Sequence, residues 1–126
     1  MSQRLLLTVS GWLEVFVGVL TLLSPATALA FLLGGSVEPI ASGMTRLFGA
    51  GVFSLGLACL KARDDVGSPA GFAVSMGVTT YNLLAAVVIA WIATGSGLGT
   101  PLLWAAGIGH AVLGGLFVSA LVRSGR

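Results

Sequence analysis

Four side chains inside the apolar stretches of this chain are charged, titratable near neutral pH or amide-bearing: Glu14, Arg46, Asn82 and His110, one in each stretch. As chemistry they form a usable set. A carboxyl and an imidazole can exchange protons, a guanidinium can stabilise developing negative charge, and an amide can orient a bound group through its donor and acceptor. His110 is the only side chain here whose unperturbed pKa lies near neutrality. Thr79 and Ala86 flank Asn82 on its helix face and Ser75 continues that stripe, while Tyr81 lies one residue and roughly 100° away. The candidate catalytic set is therefore Glu14, His110 and Arg46, with Asn82, Thr79 and Tyr81 as candidate ligand contacts. His110 is the sole histidine and Cys59 the sole cysteine, so the pattern points to no metal site and to no other cofactor.

The elements that carry these residues are long and apolar. Four stretches, 5–23, 40–60, 70–94 and 101–122, each approach the ~20 residues that a helix needs to cross the hydrocarbon core. Counted from the end of each stretch that carries cations, Glu14 lies roughly 15 Å deep, Asn82 and His110 roughly 19 Å, and Arg46 roughly 22 Å. The spread of roughly 8 Å is within reach of long side chains. A charge at the centre of a membrane helix costs about 2.5–3.5 kcal/mol, which predicts that Glu14 and Arg46 turn inward and pair. Glycines mark the faces: Gly11 and Gly18 around Glu14, Gly43 and Gly49 around Arg46, Gly107 and Gly114 around His110. Such small-residue seams let membrane helices approach closely or leave room for a ligand.

Prolines 25, 39, 69 and 101 stand between stretches or at their starts, where a missing N–H is harmless. Ser24, Ser68 and Thr100 precede three of them and suit N-cap positions. Ser24-Pro25 also predicts a short helix, lying at the membrane interface, through about Leu33, ended by Gly34-Gly35-Ser36. Gly95-Ser96-Gly97-Leu98-Gly99 predicts a flexible loop. Trp12, Trp91 and Trp104 suit interfacial anchoring, Glu38 a solvated loop, and Asp64 and Asp65 an offset to Lys61 and Arg63. Met1–Arg4, the apolar run and Ala28-Leu29-Ala30 imitate a signal peptide, but a run as long as Leu5–Leu23 predicts a retained spanning helix.

Composition agrees with lipid as the solvent. Of the 126 residues, 56% are hydrophobic and 8% charged, with mean hydropathy +1.06, against roughly 25% charge in soluble domains. A net charge of +2 without a basic run gives nucleic acid no electrostatic footprint. Arg4, Lys61, Arg63, Arg123 and Arg126 gather at the termini and the second loop. The positive-inside rule then places both ends in the cytoplasm, of a bacterial inner membrane. The expected fold is all-α: a single domain, 1–126, forming a four-transmembrane-helix bundle.

Two resemblances bear on function. The stretch Met44-Thr45-Arg46-Leu47-Phe48-Gly49-Ala50-Gly51, following a first helix and a proline-containing loop, resembles the second helix of the DoxX-like four-helix bacterial membrane proteins, over the first half of the chain. That resemblance implies a link to quinone-dependent or redox membrane complexes. Leu13-Glu14-Val15 is similar to the first-helix carboxylate site of the small multidrug resistance transporters, although the third helix lacks their Ala/Trp/Gly pattern. Three readings follow: a site that binds a small apolar molecule or quinone from the lipid phase and isomerises or ring-opens it by acid/base chemistry, a proton-coupled exporter acting as a homo-oligomer, and a non-catalytic accessory subunit.

Overall fold

The computed structural model describes residues 1–34, 38–95 and 97–124. They form five helices: α1 (Gln3–Leu23), α2 (Pro25–Leu33), α3 (Pro39–Ala62), α4 (Pro69–Gly95) and α5 (Pro101–Ser124). α1, α3, α4 and α5 are each long and apolar enough to cross a membrane. The 27 residues of α4 rise about 40 Å, more than the ~30 Å hydrocarbon core requires. Each long helix overruns its apolar stretch by a few residues because its caps lie beyond the apolar part. Ser2 accepts from the Leu5 amide at 3.3 Å, Ser68 from the Gly71 amide at 3.0 Å, and Thr100 from the Leu103 amide at 3.1 Å. Ser24 occupies the N-cap of α2 without a side-chain bond, which departs from the expected cap. There the Pro25 ring sets the first turn, and the Ala28 amide bonds the Ser24 carbonyl instead.

The short helix α2 matches the expected Pro25–Leu33 segment. Gly34, with φ of 75°, provides the left-handed C-cap that a side chain would adopt only under strain. The Thr100 hydroxyl donates to the Leu32 carbonyl at 2.5 Å, so the residue that caps the start of α5 also satisfies the end of α2. Gly35 and Ser36, expected to end α2, and Ser96, expected in the last loop, lie outside the described residues.

The bundle is two close pairs. α1 packs along α3, and α4 along α5, while α3 meets α4 sparsely. The α1–α3 seam is built on glycine. A methyl carbon at Gly56 would lie 2.7 Å from the Val15 amide nitrogen, and one at Gly18 2.6 Å from that of Phe53. Positions 11 and 60, 15 and 56, 18 and 53, and 21 and 49 thus face one another in antiparallel register. The α4–α5 pair uses Gly107 against Ile89 and Gly114 against Leu83. Gly43, expected on a packing seam, instead faces open space.

At the end of the bundle that carries the N-terminus, Leu6, Leu7, Cys59, Val78 and Phe117 are fully buried and form one core with Ala62 and Ala120. Arg4 pairs with Asp64 at 2.8 Å, and Arg63 approaches the same carboxylate at 3.6 Å. Asp64 therefore serves the N-terminus as well as its neighbour. Both ends of the Arg4–Asp64 pair are well exposed, and such pairs contribute little energy.

Candidate functional site

Glu14, Tyr81, Asn82 and His110 meet at mid-depth of the bundle. Glu14 is buried on α1, and the Tyr81 hydroxyl, from α4, is turned toward its carboxyl group. The Tyr81 ring stands edge-on to His110, with centroids 5.5 Å apart and planes at 86°. On the other side of that imidazole, Asn82 Oδ1 lies 2.9 Å from His110 Nδ1. Three helices thus contribute to one layer: α1 a carboxyl, α4 a phenol and an amide, α5 an imidazole.

The α4 backbone fixes the polarity of this layer. Asn82 Nδ2 donates to the Val78 carbonyl at 2.8 Å, and a carbonyl can only accept, so the amide orientation is determined and Oδ1 must face His110. His110 therefore donates from Nδ1, which leaves Nε2 as the ring nitrogen whose lone pair is available in the neutral imidazole. Asn82 is wholly buried, and the group it orients is the His110 ring, whereas the sequence leads one to expect it to orient a bound ligand.

Arg46 does not join the layer, and the expected Glu14–Arg46 pair is not formed. Its Nη1 donates to the Leu22 carbonyl, and the residue is exposed. Two geometric reasons account for this. By the α1–α3 register, Glu14 is level with positions 56–57, about ten residues and roughly 15 Å along the axis from Arg46. In addition, a helical side chain leans toward the N-terminus of its helix, which for Arg46 is the direction away from Glu14. The guanidinium instead reaches one of the last four α1 carbonyls, groups without an intrahelical partner, where a cation also suits the helix dipole. Depth along a single helix therefore does not by itself bring two side chains together; the register between helices and the lean of the side chain decide it.

Thr79 is buried, and its hydroxyl proton is committed to the Ser75 carbonyl at 2.6 Å. Ser75 in turn accepts from Gln3 Nε2 at 2.8 Å. Tyr81, expected as a ligand contact beside Asn82, stands between Glu14 and His110, because its offset around α4 aims it at α1 and α3.

Beside Tyr81 lies a cleft of about 250 Å³ between α3 and α4, lined by Phe48, Gly51, Val52, Leu55 and Tyr81. Tyr81 provides the only phenol in an otherwise apolar lining. The cleft exists where the two helix pairs meet sparsely, and Gly51, with nothing within 4 Å of a would-be Cβ, leaves its floor open. Phe48, Gly51, Val52 and Leu55 recur at the spacing of one helix face, a signal present in the sequence but read there only as part of an apolar span.

Fold and site together define a four-helix membrane-type bundle in which a buried carboxyl and amide meet a half-buried phenol and imidazole beside an apolar cleft. The chain matches no protein-family model, no curated protein and no solved structure.

Proposed function

We propose that this protein binds a small, largely apolar molecule that enters from the lipid through the α3–α4 cleft and meets the Tyr81–Glu14–His110 layer at its inner end. The observation that carries this reading is Tyr81, which is at once a wall of the cleft and the partner of Glu14 and His110. A cleft of about 250 Å³ is smaller than the ~300–1,000 Å³ of drug-sized sites, so the occupant is a compact ring or short chain. Its polar group would meet the Tyr81 hydroxyl first. The layer offers a proton donor in Glu14 or Tyr81 and an acceptor in His110 Nε2, which suits isomerisation or ring opening by acid/base chemistry. A quinone ring falls within the same class, in line with the DoxX-like resemblance of residues 44–51. Arg46 has no role in this chemistry.

The membrane setting belongs to the same reading. The gathering of Arg4, Lys61, Arg63 and Arg123 around one end of the bundle supports a cytoplasmic location for both termini, in a bacterial inner membrane. α2 then lies at the opposite interface, with Pro25 and Ala28 turned inward and Phe31 outward.

Thermal unfolding of the detergent-solubilised protein with a short-chain quinone and with a simple lipophilic phenol tests the proposal. Stabilisation of wild type by either probe, reduced in His110→Ala and in Tyr81→Phe, is the expected result. Equal stabilisation of all three proteins would show that the layer does not contact the ligand.

A second reading, proton-coupled export through Glu14, gains support from the position of Arg46, because no guanidinium neutralises the carboxyl. It differs in requiring a dimer with a water path, which analytical ultracentrifugation distinguishes from the monomeric binding site.

A further inference from the structure

Ser10 is fully buried on α1, and its hydroxyl has no hydrogen-bond partner among the described residues. That is unusual for serine in a helix, whose hydroxyl ordinarily bonds back to its own backbone, as Ser54, Ser75 and Ser119 do here. A buried hydroxyl left unpaired costs about 1–3 kcal/mol. Ser10 sits one helical turn from Glu14, so their Cβ atoms are about 5–6 Å apart on one face. No direct bond joins the two side chains, and their common face places them to share a third group.

The buried polar residues are also unevenly distributed. On the side of the Glu14 layer toward the N-terminus lie Ser10, Ser75 and Thr79, with Gln3 bonded to Ser75 at the outer rim. On the opposite side, Thr21 is the buried polar residue, and its hydroxyl is satisfied by the Val17 and Gly18 carbonyls of its own helix. Leu6, Leu7, Val78 and Phe117 form an apolar collar between the Gln3–Ser75 pair and Ser10.

We infer that Ser10 and Glu14 together hold one enclosed water molecule, and that this water is the proton carrier for Glu14, exchanging with the end of the bundle that bears Gln3. Water is the ligand that suits a buried polar pair of this kind, because it can accept from the Ser10 hydroxyl and donate to a carboxyl oxygen at once. In one transfer the water gives a proton to Glu14 and is restored by a proton from the next water outward, so charge and atoms balance. The collar keeps this exchange gated rather than open. The groups facing Glu14 from the other elements are Cys59 of α3 and Tyr81 of α4, with His110 of α5 behind Tyr81. Ser10 is the buried hydroxyl on Glu14's own helix, one turn nearer the end that bears Gln3. The inference does not depend on which molecule occupies the cleft.

Infrared spectroscopy after a rapid pH jump, on protein in lipid nanodiscs, follows the carboxyl band that Glu14→Gln removes. Ser10→Ala and Gln3→Leu should each slow the change of that band several-fold. Ser10→Thr, which keeps the hydroxyl, and Thr21→Val, on the other side of the layer, should run at the wild-type rate. Should Ser10→Ala fail to fold by circular dichroism, Ser10→Cys keeps the volume while weakening the donor and repeats the test. A wild-type rate in the Ser10 variant or in Gln3→Leu, or slowing in Thr21→Val, would overturn the inference.

Discussion

Asn82 Oδ1 faces His110 Nδ1 at 2.9 Å while the same amide donates to the carbonyl one turn before it. Because the Val78 carbonyl cannot donate, the orientation of one amide sets the tautomer of the only imidazole in the chain. Nitrogen-15 NMR of His110 should therefore show the Nδ1–H tautomer in wild-type protein in its neutral form. Asn82→Ala should release the ring into a mixture of tautomers. An Nε2–H tautomer in wild type would contradict the arrangement.

Removing the imidazole should be mild for the fold. His110→Ala takes one partner from Asn82, and polar contacts between membrane helices average about 0.6 kcal/mol. Unfolding in mixed micelles should register a loss of that order, with ligand response lost out of proportion to stability.

The glycine seams separate into two kinds. Gly56→Ala drives a methyl group against the backbone of α1, and overpacking of this kind costs about 1–3 kcal/mol. Gly77→Ala meets nothing within 4 Å and should leave stability unchanged or slightly raised, since glycine in a helix is roughly 1 kcal/mol poorer than alanine. Comparing the two variants by thermal unfolding checks the α1–α3 register on which the placement of Arg46 depends.

Arg46→Ala should lower stability by about 1 kcal/mol, the scale of one hydrogen bond to a helix-terminal carbonyl, and should leave the response to ligand intact. If Arg46→Ala abolished that response while the protein stayed folded, the guanidinium would have to belong to the site after all.

The helices, the short α2 and the mid-depth meeting of Asn82 and His110 were legible because they depend on local signals: apolar run length, proline position and one polar residue per span. The separation of Arg46 from Glu14 was not, because it depends on register between helices. The glycines that fix this register, 11, 18, 49 and 56, look in sequence like the equally spaced Gly43, which contacts nothing. Tyr81 was legible as a neighbour of the site but not as its bridge, since that follows from how α4 is rotated against α1. The orphan hydroxyl of Ser10 is invisible in sequence, because most membrane-helix serines satisfy themselves within the helix.

Orientation in the membrane is open to direct test. In a Cys59→Ala background, cysteines placed at Ser2 and at Gly97 should differ in reactivity toward a membrane-impermeant thiol reagent added outside cells. Labelling at Gly97 with protection at Ser2 is expected from the distribution of Lys and Arg. The reverse pattern would invert the bundle.

The cleft itself gives the most direct test of the central claim, through Gly51. A Cβ at this position meets no protein atom within 4 Å, and the residue lines the cleft beside Phe48, Val52 and Tyr81, so Gly51→Phe should extend into the cleft and fill it while the helices stay in place. Native mass spectrometry of protein taken from its own membranes into nanodiscs measures what occupies it. Wild type should carry a small apolar molecule that Gly51→Phe has lost, with both proteins equally folded. A wild-type protein that retains no such molecule, or a Gly51→Phe protein that retains it equally, would contradict the account.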